Sequence, residues 1–281
     1  MEGTIGNMKR IQLFEFEDFS WFPGWLRVCM TNLIVILQRM MGVPEVLADL
    51  VLDILKKKNI TDIVDLGSGS GGVMPEVIKT IHQIDDQKNI KLTMTDLFPN
   101  TKIIQKFNSS TNDRIRYYES SIDATNIATA PKGLKTMVNS FHHMPPKKAR
   151  SILESAQRTN QPLLVYEMGE NNVPLLIWWL LLPISLIILI IMVLFMTPMV
   201  KPLTWRQIVF TYLIPIIPIC YAWDGQASLP RMYTMKDFDE LLHGLGSENY
   251  SWEKGHAMKR NGKKRGTYVV GMPNESKFNK Y

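Results

Sequence analysis

The sequence predicts an α/β fold in which short apolar strands alternate with helices and one uncharged segment interrupts the domain. Two apolar strands each end in an acid, Asp65 and Asp96, and the first strand runs directly into a glycine-rich loop. Residues 171–200 contain no charged side chain. The chain has 281 residues, so one α/β domain of about 200 residues leaves roughly 80 residues for additions.

The N-terminal segment, residues 13–27, is dense in aromatic and acidic side chains. This mixture suits a membrane interface, where aromatic rings settle at headgroup depth, and it equally suits the packed rim of a domain. Acids among aromatics of a buried type indicate that at least one acid faces a polar pocket. Glu15, Asp18 and Trp21 are the candidate substrate-binding residues here. Helical patterns follow at residues 30–41 and 45–57.

The glycine-rich loop follows the first strand and reads as a nucleotide-binding turn, because glycine reaches positive φ without steric cost and lets a ligand approach the backbone. Its spacing fits two cofactors. Gly67, Gly69 and Gly72 match the G-x-G-x-x-G of dinucleotide sites, whereas Gly67, Gly69 and Gly71 match the G-x-G-x-G of S-adenosylmethionine (SAM) enzymes. Asp65 favours SAM, which brings an ammonium group that a dinucleotide lacks.

The second strand, residues 91–95, ends in Asp96, where an acid can bind both ribose hydroxyls of either cofactor. From here the sequence resembles the class I SAM-dependent methyltransferases, over most of residues 45–170 and at the C-terminal end. The resemblance implies a Rossmann-like seven-stranded methyltransferase sheet, with further strands at residues 114–118, 134–138 and 163–168. In that family an acid after the third strand, here Asp123, meets the adenine amino group, and Ile122 would pack on the adenine.

SAM is therefore the predicted cofactor. The cofactor-binding residues that the resemblance implies are Asp65, Gly67, Ser68, Gly69, Gly71, Asp96, Leu97, Ile122, Asp123 and Asn139.

A histidine pair, His142 and His143, stands at the tip of the fourth strand, as it often does in members of that family. A hydroxyl acceptor would need a general base, and either histidine is suited to that role. An amine acceptor would instead need an orienting carboxylate such as Asp224 or Glu15. The Asn-Pro-Pro-Tyr type tetrapeptide of nucleic-acid N-methyltransferases is absent, which disfavours methylation of a base.

The uncharged segment is apolar enough to enter a membrane. Of the 21 residues from position 175 to 195, 16 are Leu, Ile, Val or Phe, and this length of helix spans about 30 Å. The alternative is a buried core helix, but a domain of this size can hardly cover a helix that is apolar on every side. A second apolar run, residues 208–223, is interrupted by Pro215 and Pro218, so the insert is expected to be a two-helix hairpin or a shallow re-entrant one.

The end of this insert, residues 223–231, supplies a further candidate cluster. Asp224 is suited to bind a cationic or hydroxyl acceptor, and Arg231 a phosphate or carboxylate. The alternative is an Asp-Gly turn beside an arginine that reaches towards water. The catalytic candidates are thus His142, His143 and Asp224, with Arg231 added to the substrate-binding set.

The net charge of +6 is concentrated near the C-terminus, between predicted strands at residues 250–252 and 267–271. A loop of this kind attracts anions, and beside an apolar hairpin we expect lipid headgroups rather than nucleic acid. The two cysteines, Cys29 and Cys220, show no disulfide or zinc spacing, and no metal site is predicted. The basic residues are Lys254, Lys259, Arg260, Lys263, Lys264 and Arg265.

These observations predict four segments: a cap with a helix at 1–44, a SAM-binding core at 45–170, a membrane hairpin at 171–223, and the C-terminal part of the methyltransferase domain at 224–281. The predicted function is methyl transfer to a lipophilic small molecule or lipid at the cytoplasmic face of a membrane. The alternatives are a membrane-tethered RNA or protein methyltransferase and a SAM-binding membrane protein without catalysis. The oligomeric state is not predicted.

Overall fold

The computed structural model describes residues 8–85, 89–111 and 113–274. Contacts between its residues divide the chain into two compact units. The sheet unit consists of Val43–Met168 with the described residues of Met235–Tyr281, and the helical unit consists of Lys9–Gly42 and Gly169–Thr234. The predicted division assigned residues 224–234 to the methyltransferase domain and residues 9–42 to a separate cap, whereas both segments group with the apolar insert.

The helices and strands are numbered in chain order. The helices are α1 (Gly24–Met41), α2 (Val43–Lys58), α3 (Met74–Ile84), α4 (Thr101–Asn108), α5 (Pro146–Arg158), α6 (Leu175–Met196), α7 (Trp205–Ile208), α8 (Ile216–Arg231) and α9 (Met235–Leu242). The strands are β1 (Asp62–Leu66), β2 (Lys91–Thr95), β3 (Ile115–Tyr117), β4 (Leu134–Val138), β5 (Leu163–Glu167), β6 (Tyr250–Met258) and β7 (Lys264–Pro273).

The sheet unit contains one seven-stranded sheet in the order β3-β2-β1-β4-β5-β7-β6, which confirms the predicted methyltransferase-like α/β sheet. Neighbours among β1 to β5 pair in parallel, and β7 pairs antiparallel with β5 and β6. Every residue of β5 is buried, as expected for a central strand covered on both faces. The predicted late strands were too short, because the antiparallel pairing of β6 with β7 continues into the basic region, as far as Met258 opposite Lys264.

The order of the strands creates a switch point between β1 and β4. From β1 the chain builds outwards through β2 to β3 and then returns to place β4 on the other side of β1. Because βα crossovers leave the sheet in opposite directions at this point, a crevice opens beyond the carboxyl ends of the two strands. Ligands of open α/β sheets bind in such a crevice. The predicted cofactor residues lie at the end of β1 and on the loops that follow β1, β2, β3 and β4.

The helical unit has its own apolar core, formed by α1, α6 and α8. The buried positions of α1 recur every three or four residues, at Leu26, Met30, Leu33 and Ile36, which gives one continuous apolar face. This helix begins at Gly24, six residues before the predicted start at residue 30. The buried core residues of the unit are Phe22, Leu26, Cys29, Met30, Leu33, Ile36, Val193, Met196, Val200, Ile217, Cys220 and Tyr221.

Helix α6 exposes much of its apolar surface. The side chains of Leu176, Leu180 and Ile184 are 82%, 75% and 60% exposed. By length and composition, residues 175–199 form the one described helix that alone could cross a membrane, and the bent pair of residues 205–213 and 216–231 could form a second segment. The bend is 82°. The bend falls at Pro215, one of the two prolines that were expected to interrupt this run. Pro218 lies in the first turn of α8, where a missing N–H breaks no helical hydrogen bond.

Candidate functional site

Asp65 lies at the switch point and links three segments of the sheet unit. Its side chain accepts hydrogen bonds from Ser68 Oγ at 2.6 Å, in the glycine loop, and from Thr136 Oγ1 at 2.7 Å, on β4. The residue is 5% exposed. Burial raises the pKa of the Asp65 carboxyl to about 6, while the two hydroxyl donors act in the opposite direction. A carboxylate held in this way gains stability from a neighbouring cation.

The glycine loop adopts the positive φ values that the sequence predicts. Gly67 has φ +70° and Gly69 has φ +52°, which side-chain-bearing residues rarely adopt. The Gly69 N–H donates to Asp96 Oδ2 at 2.9 Å, and the Gly69 carbonyl accepts from the Tyr117 hydroxyl at 2.9 Å. A Cβ atom at Gly69 would meet nothing within 4 Å. The loop is therefore fixed through its backbone while open space remains beside Gly69.

Asp96 connects the loops that follow β2 and β3. Its Oδ1 accepts from the Phe98 N–H at 2.8 Å, and its backbone carbonyl accepts from the Ile122 N–H at 2.9 Å. Ile122 is buried, whereas Leu97 and Asp123 are exposed. Asp123 Oδ1 accepts from the Thr125 N–H and hydroxyl, both at 2.8 Å, and so caps the short helix Ala124–Thr129. The hydrogen bond between Asp96 and Ile122 thus joins the loop that carries the predicted ribose-binding acid to the loop that carries the predicted adenine-binding residues.

Two buried polar atoms stand at the tip of β4. Asn139 has φ +52°, and its Oδ1 accepts from the Met168 N–H at 2.7 Å. Asn139 Nδ2 and Ser140 Oγ are both shielded from solvent and have no hydrogen-bond partner among the described residues. A Cβ atom on Gly67 would lie 3.7 Å from Ser140 Oγ, so these atoms adjoin the glycine loop. Buried polar groups are nearly always paired, so these two atoms are suited to bind a polar ligand. Ser140 was not among the predicted site residues.

His142 is held by an acid, Glu167, that was not among the predicted site residues. His142 is 4% exposed; its backbone N–H donates to Glu167 Oε1 at 2.9 Å, and its Nδ1 lies 2.9 Å from Glu167 Oε2. The His143 ring lies 4.3 Å from the His142 ring and is less buried. Glu167 is the last residue of β5. The sequence could have indicated Glu167, because an acid at the end of an apolar strand was the pattern that indicated Asp65 and Asp96.

The remaining predicted residues meet in the helical unit. Asp224 accepts from the backbone N–H groups of Phe16 at 2.7 Å and Glu17 at 3.2 Å, and so caps the short helix Phe16–Asp18. Arg231 is fully buried, and its Nη1 lies 2.9 Å from Glu15 Oε1 and 2.6 Å from Asp18 Oδ2. Asp224 lies within α8, so the alternative of an Asp-Gly turn is wrong. Arg231, Glu15 and Asp18 thus form one ion-paired group, and the Ser228 hydroxyl, which lies 3.2 Å from Glu15 Oε1 and 2.8 Å from the Asp224 carbonyl, connects this group to Asp224.

Glu17 and Trp21 belong to the same N-terminal segment as Glu15 and Asp18. Burial, with the adjacent carboxylates of Asp224 and Glu15, raises the pKa of Glu17 to about 8, against the opposing effect of Arg27. The raised pKa favours the protonated form of Glu17, and a proton there lowers the negative charge of a crowded acidic segment. Trp21 is 66% exposed and stacks on Phe19 at 5.3 Å. The substrate and catalytic roles of this group remain predictions.

Comparison with known proteins finds solved structures of similar fold. No protein-family model and no curated protein matches the chain. The plantazolicin methyltransferase BpumL in complex with SAH is 12% identical, with a TM-score of 0.46 over 92% of this chain and 88% of that one. The methyltransferase domain of bacterial CtHen1 is 13% identical, with a TM-score of 0.44 over 84% and 99%. Human N-acetylserotonin methyltransferase in complex with SAM is 16% identical, with a TM-score of 0.45 over 86% and 56%.

Proposed function

We propose that this protein transfers a methyl group from SAM to a lipophilic small molecule or lipid at the cytoplasmic face of a membrane. The observation that carries the proposal is the arrangement at the switch point. There a glycine loop lies between the acids Asp65 and Asp96, beside the unpartnered polar atoms of Asn139 and Ser140. A ligand with a cationic end and a hydroxyl-bearing end suits this arrangement. The acids at the ends of the first two strands would bind those two ends, and the polar atoms after the fourth strand would bind a further polar group.

The residues present fit SAM better than a dinucleotide. Asp65 would hold the ammonium group, and Asp96 would accept from the ribose hydroxyls. Asn139 Nδ2, a donor with no protein acceptor among the described residues, and Ser140 Oγ would satisfy the polar amino-acid end. Ile122 would pack on the adenine and Asp123 would accept from its amino group. The cofactors named for BpumL and for N-acetylserotonin methyltransferase agree with this assignment.

SAM supplies an activated methyl group, so the chain's own residues have to orient the acceptor, exclude water and accept a proton. For a hydroxyl acceptor, the Glu167–His142 pair is arranged as an oriented base, because the Glu167 carboxylate fixes the imidazole through Nδ1. His143, which is partly accessible beside it, is the second candidate. Glu167 is then a positioning residue, since it acts through His142.

The membrane assignment is supported by the exposed apolar surface of the helical unit. A core helix of a soluble protein would be covered, yet Leu176, Leu180 and Phe195 on α6 are 82%, 75% and 76% exposed. Leu213, just before the bend, is 76% exposed as well. Removing such side chains from water favours insertion by about 0.3 to 0.6 kcal/mol each near the bilayer centre. The protein leaves these apolar side chains exposed, and in the proposed attachment the bilayer would bury them.

The basic region is the proposed contact with anionic headgroups. Two of its residues are engaged within the sheet unit, since Arg260 bonds to both carboxylate oxygens of Asp49 and Lys254 lies 2.5 Å from Asp239 Oδ1. Lys263 and Lys264 at the β6–β7 turn are exposed. Each basic residue near an anionic leaflet contributes about 1 kcal/mol to membrane binding. Nucleic acid remains the less favoured polyanion.

The test of the function is turnover with labelled SAM and a total lipid extract from the source organism. We expect labelled product in the lipid phase, and none with RNA or protein from the same source. Product in RNA or protein instead would support a tethered macromolecular methyltransferase. SAM binding without any product would support the non-catalytic alternative.

Cofactor binding is tested separately by calorimetry. We expect SAM to bind with micromolar affinity, about 8 kcal/mol, and NAD not to bind. Gly69→Val should abolish binding, because a branched residue is strained at this positive φ and would fill the open space beside the loop. Gly244→Val, at φ +71° on the far side of α9, is the matched control and should leave SAM affinity unchanged. Binding of NAD in place of SAM would contradict the assignment.

A further inference from the structure

Helix α6 has two different faces along its whole length. One face packs inside the helical unit through buried residues such as Trp178, Val193 and Met196. The opposite face is an exposed apolar stripe whose members recur every three or four residues, namely Leu176, Leu180, Ile184, Ile187, Ile191 and Phe195. At about 1.5 Å per residue the stripe is roughly 30 Å long. A stripe of this length could either cross a bilayer or lie along its surface.

Charged residues lie on the packed side of the helical unit, at the level of the central part of α6. Helix α8 lies beside this part, since a Cβ atom on Gly225 would be 3.5 Å from Leu189 Cδ1. The adjacent Asp224 caps the short helix Phe16–Asp18, and Asp18 at its end pairs with Arg231 while its side chain stays 34% exposed. If α6 crossed a bilayer, this partly open ion pair would lie in the hydrocarbon core, where charged side chains are costly.

The return path from α6 to the sheet unit is too short for a second crossing. Met168 and Met235, on either side of the insert, both belong to the sheet unit, so a crossing chain has to cross an even number of times. After the bend at Pro215, the uncharged part of α8 before Asp224 has eight residues, 216–223. Such a helix is about 12 Å long, whereas a crossing takes about 20 residues. A single crossing by α6 would leave the two ends of the insert on opposite sides.

The tip between α6 and α8 has the composition of a membrane interface. Trp205 is 63% exposed, and the Arg206 guanidinium lies 5.5 Å from the centre of its ring and 5.6 Å from that of Trp25. Lys201 is exposed as well. Tryptophan favours headgroup depth, and cationic loops favour the cytoplasmic side of a membrane. The tip therefore suits the aqueous face on which SAM is available, and it suits the far side poorly.

We propose that α6 lies in the plane of the membrane and that the partner of its exposed stripe is a single leaflet. The stripe enters the acyl chains, while α8 and the charged N-terminal segment stay on the water side. A helix in this position reaches roughly 5 to 10 Å below the headgroups, so no charge and no broken helix has to enter the centre of the bilayer. The proposal rests on the membrane attachment proposed above and is independent of methyl transfer.

The first measurement determines on which side of the membrane the tip lies. The full chain is reconstituted into sealed vesicles of phosphatidylcholine and phosphatidylglycerol and treated with a membrane-impermeant maleimide. The native Cys29 and Cys220 are buried, so the parent protein is the blank. We expect Trp205→Cys to react to the same extent as Lys79→Cys, which is exposed on α3 of the sheet unit. Ile187→Cys, on the stripe, should not react.

The second measurement compares depths along α6. A fluorescent label is attached in turn to Leu176→Cys, Ile187→Cys and Phe195→Cys and is quenched by lipids that carry bromine at two different depths. We expect the three labels to lie at nearly equal, shallow depths, because they share one face of the helix. A crossing helix would instead place the label at position 187 at least about 12 Å deeper than the labels at both ends.

The outcomes separate the orientation of α6 from the attachment itself. A Trp205→Cys residue that reacts only after detergent opens the vesicles, or a deepest label at position 187, would overturn the in-plane position. Protein that stays in solution when the vesicles are sedimented would overturn the membrane attachment as well. SAM binding by each variant identifies one that has lost its fold, and Met199→Cys, 46% exposed at the tip, then replaces Trp205→Cys. Failure of methyl transfer alone would change neither readout.

Discussion

At the scale of single residues, Asp65 is the acid of the switch-point site whose pKa burial raises. Asp65 is surrounded by its own strand, the glycine loop and β4, and its pKa is raised to about 6 because a buried carboxylate loses its hydration. The folded protein therefore holds a proton on Asp65 between the unfolded pKa of 3.8 and about 6. Its contribution to stability is fully present below the unfolded pKa and is lost as pH rises through the folded one.

This carboxyl group should report the charge of the ligand. A cationic ammonium beside Asp65 lowers the pKa of the carboxyl, so binding of SAM near pH 6 should release about half a proton, and binding at pH 8 none. Calorimetry in two buffers of different ionisation enthalpy measures this release. Asp65→Asn should abolish it, whereas Asp62→Asn, exposed at the start of the same strand, should not. Equal heats in both buffers at pH 6 would contradict the ammonium assignment.

Glu167 should control the basicity of His142. Glu167→Gln keeps an acceptor for the His142 N–H but removes the negative charge that stabilises an imidazolium. With the acceptor found in the lipid extract, we expect kcat to fall at least tenfold, about 1.4 kcal/mol, with SAM affinity unchanged. The acid limb of the pH–rate profile should also move to lower pH, an effect that a purely structural role would not produce. Glu154→Gln, on the exposed face of α5, is the control.

At the scale of elements, the proposed membrane attachment depends on α6. One of its faces packs in the core of the helical unit through Val193 and Met196, and the opposite side is exposed. The bend of 82° before α8 prevents the second apolar run from forming one straight span. Under the proposed membrane attachment, the two apolar segments would enter the bilayer as one full helix and one broken helix.

Charges on the exposed face of α6 should release the protein from membranes without unfolding it. Ile184 and Ile188 are 60% and 58% exposed, so lysines there leave the protein core intact and, in the proposed attachment, would face the bilayer. Each lysine at a helix centre costs about 2.5 to 3.5 kcal/mol on insertion. We expect the Ile184→Lys, Ile188→Lys protein to be extracted by alkaline carbonate while it still binds SAM. Gln105→Lys with Glu119→Lys, exposed on the sheet unit, should remain in the membrane fraction.

At the scale of the whole molecule, each of the two units has its own core and its own set of predicted site residues. The cofactor residues and the histidines belong to the sheet unit, and Glu15, Asp18, Trp21, Asp224 and Arg231 belong to the helical unit. Deletion of residues 173–222 alone would expose the buried face of α1, which packs against Val193, Ile217 and Tyr221. Point substitutions are therefore the better test of membrane attachment.

The basic turn should add an electrostatic component to membrane binding. In the background of the two α6 lysine substitutions, Lys263→Gln with Lys264→Gln should weaken binding to vesicles that contain anionic lipid by about 2 kcal/mol, roughly 30-fold, at low salt. The difference should shrink at 0.5 M salt, because exposed charges are screened. Lys79→Gln, which lies on α3 and pairs with Glu76, is the control. A loss that persists at high salt would show that these lysines do not act through headgroup charge.

The sequence by itself determined the features that depend on local pattern. The glycine loop, the acids at the ends of β1 and β2, and the apolar composition of α6 are contiguous in the chain, and each follows from composition or from spacing over a few residues. The resemblance to class I methyltransferases then supplied the seven-stranded sheet, which the structure confirms. The break at Pro215 followed from the missing N–H of proline.

Only the tertiary structure decided which distant residues meet. Glu167 pairs with His142 across 25 positions, and Asp224 caps the segment at Phe16 across 208. Periodicity reports which face of an element is apolar, and it carries no information about the partner that a polar side chain finds across the fold. For the same reason, the unpartnered atoms of Asn139 and Ser140 could be recognised only after every neighbouring group had been placed.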